Sequence, residues 1–187
     1  MAVDEKPLDF DSVLLSRKSI RSFRAEPVSD EELESLVDIA RHAPSWMNKQ
    51  CWHFIIVTHT LDIQDISKTS LTNHWMKKAP AIIILCADPH LSGSREGIDY
   101  YVVDAAIAMD HLILSATSKG LGTCWIGSFN EKKLKELLGV PPRIRIIALT
   151  PIGYPKEKKG LSNKVRSAIV RSTKRKSLSE ICHWNQW

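Results

Sequence analysis

The spacing of apolar positions changes along the chain, and each change marks an element. Asp9 to Ser16 reads as a short first helix. Ser29-Asp30-Glu31-Glu32 forms a capping box, with Glu32 three residues after the capping serine. Leu33, Leu36, Val37 and Ala40 follow at helical spacing, and this second helix is expected to end near Pro44. Trp52 to Thr58 is aromatic and β-branched, so it reads as a buried strand. Leu61 to Ser70 reads as a helix, and Ala81 to Cys86 is a continuous apolar run expected as a central strand. The polar stretch 89–97 reads as a loop.

Ile98 to Lys119 is expected as one long helix stopped by Gly120. Its apolar positions run most of the way round, so it should be buried on several sides, one of them a subunit interface. Thr123 to Ile126 is a short strand. Asn130 caps a helix through Leu138 that Gly139 ends. Ile144 to Thr150 is a further strand, closed by Pro151-Ile152-Gly153-Tyr154-Pro155. Beyond it, Val165, Ala168, Ile169 and Leu178 are scattered through a basic stretch. Strands and helices mix without strict alternation. The expected class is α+β: a central mixed or antiparallel sheet flanked by helices, as a single domain over 1–187.

Composition narrows the function classes. No apolar run reaches the roughly 18 residues of a membrane span. The opening MAVDEKPLDF lacks the charged-then-apolar order of a signal peptide, so the expected compartment is the cytoplasm. Cys51, Cys86, Cys124 and Cys182 form no C-x-x-C pair, which leaves zinc and iron–sulfur readings without support. Cys86 and Cys124 sit in apolar runs and read as buried thiols. The net charge of +5 is uneven: nine Lys/Arg and one Glu between Lys156 and Lys176 carry +8, leaving the rest at −3. Nucleic acid, an anionic membrane or a phosphorylated ligand would each suit such a segment. It lacks the aromatic residues that stack bases, which argues against nucleic acid.

Common cofactor and catalytic motifs are missing. Gly120-Leu121-Gly122-Thr123-Cys124-Trp125 starts like a dinucleotide fingerprint but lacks the third glycine, and it follows a helix and precedes a strand. There is no phosphate loop of the G-x-x-x-x-G-K-[ST] kind and no G-x-S-x-G elbow. The seven histidines adopt no helical metal-binding spacing. A site built from scattered residues around a bound cofactor is what remains.

Arg17-Lys18-Ser19-Ile20-Arg21-Ser22-Phe23 places three cations and a hydroxyl within five residues. In an extended segment Arg17, Ser19 and Arg21 point to one side. Guanidinium forks suit phosphate oxygens, and a serine hydroxyl adds a donor. The alternative is a solvated charged turn.

Here the sequence resembles the nitroreductase-like FMN flavoproteins. Arg17 to Phe23 looks like the family's R-[RK]-S-x-R-x-[FY]. Ala43-Pro44-Ser45-Trp46-Met47-Asn48-Lys49-Gln50-Cys51-Trp52 looks like its A-P-S-x-x-N-x-Q-x-[WF]. Gly120 to Gly127 resembles its G-L-G-[TS]-x-[WP]-I-G segment, and Pro151 to Pro155 its [PL]-[IL]-G-[YF]-P closure. Arg175-Lys176-Ser177-Leu178 resembles the C-terminal R-[KR]-P-L, with Ser177 where proline is common. The five elements occur in the family's order.

The resemblance implies an intertwined homodimer with FMN between the subunits. Arg17, Lys18, Ser19 and Arg21 would hold its phosphate, ribityl chain and pyrimidine edge. Arg175, with Lys174 or Lys176, would close on the phosphate. Pro44, Ser45, Trp46, Asn48 and Gln50 would come from the other subunit, their amides suited to ring carbonyls and N–H groups. Ile126, Gly127 and Ser128 would place backbone N–H groups near flavin N5, and Asn73 lies where some relatives have a further flavin contact. The implied chemistry is ping-pong: NADH or NADPH gives a hydride to N5, leaves, and an acceptor such as a nitroaromatic or quinone is reduced in its place. No side chain is assigned as a catalytic acid and no metal is expected.

Two departures matter. Only 11 residues, Pro89 to Asp99, stand where some relatives carry a long insertion over the substrate, so the cleft is expected to be open. The Glu, Tyr and Lys lid of iodotyrosine dehalogenases is not assembled here. A flavin-binding or flavin-processing protein of the same fold, without nicotinamide turnover, is the competing reading, and a basic nucleic-acid binder is the second.

Overall fold

The computed structural model describes residues 9–156 and 175–187. Residues 157–174, which hold most of the basic run together with Val165, Ala168, Ile169 and Lys174, lie outside the described residues. The chain forms two compact units, Met1–Lys156 and Glu157–Trp187. Among the described residues no helix is long and apolar enough to cross a membrane.

The first unit is an antiparallel sheet between two helical layers. Helices α1 (Phe10–Ser16) and α2 (Asp30–Ala40) precede strand β1 (Trp52–Val57). Helix α3 (Thr60–Lys68) leads through a 3₁₀ turn at His74–Lys78 to β2 (Ala81–Ala87). A small hairpin, β3 (Ser94–Arg95) and β4 (Ile98–Asp99), precedes the long helix α4 (Tyr100–Ser118). Strand β5 (Gly122–Thr123), helix α5 (Glu131–Leu138) and β6 (Arg145–Gly153) complete the unit. The strand order is β1-β2-β6-β5, every pair antiparallel.

The alternation of β2 explains the layers. Ala81, Ile83, Leu85 and Ala87 pack with Leu33 and Leu36 of α2 and Ala105, Ala108, Met109 and Leu112 of α4. Ile82, Ile84 and Cys86 pack on the other face with Ile63 and Ile66 of α3 and Leu134 of α5. A strand covered on both faces reads as an unbroken apolar run. The capping box of α2 forms as expected: the Ser29 hydroxyl accepts the Glu32 N–H at 3.2 Å, and the Glu32 carboxylate accepts the Ser29 N–H at 3.5 Å. Gly139 ends α5 in the left-handed region, at φ 66°.

Three boundaries differ from expectation. Ile98 and Asp99 belong to the hairpin rather than to α4, because Glu96 and Gly97 both take positive φ, at 54° and 80°, as a two-residue hairpin turn requires. Strand β6 does not stop at Thr150 but continues through Pro151 to Gly153. Strand β5 covers only Gly122–Thr123, although Ile126 rejoins Leu149 in the same register. Cys124 and Trp125 fall between these two pairings, and the Cys124 N–H donates to the Thr150 hydroxyl at 3.2 Å.

Helix α5 is tied to β6 through Glu131. Its carboxylate accepts Arg145 Nε at 2.9 Å and Nη2 at 3.1 Å, and the Ile146 N–H at 3.0 Å. Burial raises the Glu131 pKa, but the Arg145 and Ile146 hydrogen bonds outweigh it and hold the group below its ordinary 4.5. A depressed folded pKa stabilises above the unfolded value and loses that contribution as pH falls through the folded one. Glu131→Gln is therefore expected to cost about 1–2 kcal/mol at neutral pH. Urea melts should show that difference shrinking below about pH 4.

In the second unit, Ser177 and Glu180 form a capping box on a 3₁₀ turn at Leu178–Glu180. Cys182, Trp184 and Trp187 are exposed there, whereas Cys51, Cys86 and Cys124 are buried.

Candidate functional site

The basic segment after α1 pairs with the sheet edge and is not a solvated turn. The Ile20 N–H donates to the Thr123 carbonyl at 2.7 Å, the Arg24 N–H to Tyr154 at 2.9 Å, and the Lys156 N–H to Ser22 at 3.0 Å. Ser19 pairs with Thr123 in a parallel bridge and Phe23 with Pro155 in an antiparallel one. The segment thus lines the β5 edge of the sheet. Gly122 makes this approach possible, because a Cβ there would lie 2.8 Å from Ile20.

Arg17, Ser19 and Arg21 all act on one buried thiol. Burial pushes the Cys124 thiol up, while the Arg21 guanidinium, the Ser19 hydroxyl and the Arg17 guanidinium pull it back. All three residues are half-buried, whereas Lys18 is exposed. Among the described residues none of Arg17, Lys18 and Arg21 has a carboxylate within 4.0 Å. Half-buried guanidiniums without an anion are matched to a ligand that brings one.

A polar relay runs beside this segment. The Phe23 and Trp75 rings stack with centroids 6.4 Å apart. Trp75 Nε1 donates to Asn73 Oδ1 at 3.2 Å, Asn73 Nδ2 to the Ser70 hydroxyl at 2.9 Å, and that hydroxyl to the Ser128 carbonyl at 2.6 Å. Asn73 therefore braces the turn that carries Gly127 and Ser128. The Ile126 N–H is engaged with the Leu149 carbonyl at 2.9 Å. Gly127 and Ser128 are exposed, and their N–H groups have no protein acceptor among the described residues. A Cβ on Gly127 would meet nothing within 4 Å, so packing does not explain this glycine.

Pro44, Ser45, Trp46, Asn48 and Gln50 form a second group. The Ser45 hydroxyl accepts the Gln50 N–H at 3.0 Å, and Gln50 Nε2 donates to Asn48 Oδ1 at 3.2 Å. Met47, Asn48 and Gln50 all have positive φ, at 48°, 56° and 51°. Asn tolerates this region, but Met and Gln are held there at a cost of order 1 kcal/mol each. The Trp46 ring lies 4.4 Å from Tyr100 and against Gly93, where a Cβ would clash with the indole. Asp104, which nothing in the sequence pattern marked as functional, accepts the Trp46 N–H at 3.0 Å. The available signal was one carboxylate inside the apolar run of α4.

The two groups lie at opposite ends of α4. The loop 44–50 is tied to Tyr100 and Asp104 near its start, while Leu121, at the entry to β5, bonds back to Ala116 in its last turn. From Asp104 to Ser118 the helix rises roughly 20 Å. Arg175 and Lys176 belong to the second unit.

A profile described as Nitroreductase family matches residues 14–70 and 61–154, and the chain belongs to that family. A relative from Archaeoglobus fulgidus, which carries a provisional NADH dehydrogenase/NAD(P)H nitroreductase name, is 34% identical over 151 residues, covering 79% of this chain and 86% of that protein. An NAD(P)H FMN reductase from Bacillus subtilis is 30% identical over 162 residues, covering 78% of this chain and 65% of its own length. The crystal structure of a nitroreductase family protein from Clostridium novyi NT superposes with a TM-score of 0.77 at 39% identity, over 82% of this chain and 89% of that one.

Proposed function

We propose that the protein is an FMN-dependent oxidoreductase that works as a homodimer. The observation that carries this reading is the placement of Arg17, Ser19 and Arg21, without carboxylate partners among the described residues, on a segment that runs along the β5 edge from which the Gly127–Ser128 turn continues. A phosphorylated, ring-bearing cofactor needs both parts. FMN fits the donors present; the name of the Bacillus relative includes FMN, and both that name and the Archaeoglobus one include NAD(P)H. Bound FMN supplies the hydride chemistry, taking two electrons from NADH or NADPH and passing them to an acceptor such as a nitroaromatic or quinone.

The chain's own residues bind and orient. Arg17, Ser19 and Arg21 hold the phosphate and polar edge, with Lys18 adding positive charge at the rim. The free N–H groups of Gly127 and Ser128 face the reacting ring and favour negative charge there without a titrating side chain. Ile126 supports the turn through its bond to Leu149 rather than by offering a donor. Asn73 acts through the Ser70–Ser128 relay. Pro44, Ser45, Trp46, Asn48 and Gln50 reach the cofactor of the partner subunit, Asn48 and Gln50 with their amides. Arg175 and Lys176, in the second unit, carry further positive charge suited to a phosphate, and the compartment in this reading is the cytoplasm. A twofold axis that runs two α4 helices antiparallel would bring the loop of one subunit to the basic segment of the other.

Arg21→Ala removes one charge-assisted contact, so FMN affinity is expected to fall about 10–100-fold. Titrating apoprotein with FMN measures this. Full flavin occupancy in the purified variant would contradict the assignment. Sedimentation checks the assembly: the flavin-loaded protein should run as a dimer, and a flavin-loaded monomer would overturn that part.

A further inference from the structure

Asp104 is a carboxylate only 3% exposed, in an otherwise apolar stretch of α4. It accepts the Trp46 N–H at 3.0 Å through one oxygen and the Ser92 hydroxyl at 2.9 Å through the other, with the Cys51 thiol 3.8 Å away. Two segments, residues 46–51 and Ser92, thus end on one buried carboxylate. Such a group is tolerated inside a protein only where donors surround it, and losing a partner is costly there. Burial, and next the charge of Asp104, push the Cys51 thiol up to about 11. It stays protonated and remains a donor at neutral pH.

Immediately after Trp46 come the left-handed residues Met47, Asn48 and Gln50. Within the loop the Gln50 N–H donates to the Ser45 hydroxyl, the Asn48 N–H to the Ser45 carbonyl and the Lys49 N–H to the Trp46 carbonyl, all local bonds. The Trp46 N–H on Asp104 reaches across 58 positions of sequence. Asp104 is therefore the hydrogen-bonding group that relates this loop to α4, beside the ring contact of Trp46 with Tyr100.

We infer that Asp104 is a positioning residue for the flavin, holding residues 45–50 in the left-handed form in which Asn48 and Gln50 meet the partner subunit's cofactor. The inference rests on the FMN reading above. Asp104→Asn keeps the shape and one acceptor for the Trp46 N–H but removes the charge and places an N–H₂ where donors already point. Asp104→Ala removes every bond, and Ser92→Ala removes a single donor and leaves the Trp46 bond in place.

The experiment titrates wild-type apoprotein and the three variants with FMN, and records the visible circular dichroism of the bound flavin alongside far-ultraviolet spectra and sedimentation. D104N, folded and dimeric, is expected to bind FMN at least about 10-fold more weakly than wild type and to alter the flavin's visible band. S92A is expected to fall between wild type and D104N in both readouts, so the inference does not depend on D104A folding. A folded D104N with wild-type affinity and an unchanged flavin band would overturn the inference alone. A wild-type protein that takes up no FMN would overturn the FMN reading, and this inference with it.

Discussion

Val103→Glu, on the open face of α4, is expected to split the dimer and release the flavin together. Val102 and Val103 are 41% and 39% exposed, Ile107 and Leu114 are half-buried, and the neighbouring helix α1 leaves Phe10, Leu14 and Leu15 exposed. Val103, Ile107 and Leu114 share one side of α4, with the exposed Asp110 among them, and apolar surface of this kind suits an interface. A glutamate there must be desolvated without a partner, once in each subunit. That cost is several kcal/mol, so dimerisation should weaken by about 1,000-fold or more. Val103 lies on α4 beside Asp104, at the end of the helix that holds the loop 44–50. A folded variant that loses dimer and flavin together is the outcome a two-subunit site requires. Sedimentation together with flavin absorbance reads both quantities, and a flavin-loaded dimer would refute the two-subunit site.

Gly122→Val is expected to damage fold and site at once. A Cβ at this position lies 2.8 Å from Cβ, Cγ1 and Cγ2 of Ile20, and valine adds two methyl groups. Ile20 is β-branched and its backbone is held on Thr123 at 2.7 Å, so it cannot swing clear. The basic segment must lift off β5, carrying Arg17, Ser19 and Arg21 with it. The loss should be about 3 kcal/mol, lowering the Tm by about 6–12 °C, with flavin lost on purification. Gly127→Ala is the contrasting case. Its Cβ meets no protein atom within 4 Å, so the Tm should hold while FMN affinity falls. Equal melting of Gly122→Val and wild type would refute the account of Gly122.

Much of the fold was legible because its signals are local. The capping box at Ser29, the stop at Gly139 and the two-sided burial of β2 each depend on a few neighbouring residues. The alternation of Arg17, Ser19 and Arg21 left an extended segment and a charged turn both open, and the structure decides between them: Gly122 and Thr123 receive the segment. What escaped depends on partners distant in sequence. Pro151 looked like a strand terminator, yet it pairs with Ile82 inside a continuing β2–β6 ladder. Glu96-Gly97 lacks the usual Asn-Gly or Asp-Gly signature of a tight hairpin. Asp104 could not be read as a hub, because its donors sit at positions 46, 51 and 92. The Ile126 N–H looked available until its bond to Leu149 was seen.

The most direct test is the visible spectrum of the purified protein, recorded without air before and after adding NADH and then NADPH. The account predicts a bound FMN chromophore whose oxidised absorbance bleaches with at least one of the two nucleotides. A colourless protein that cannot be reconstituted with FMN would contradict it, and bound flavin that stays oxidised with both nucleotides would contradict the nicotinamide-dependent reaction.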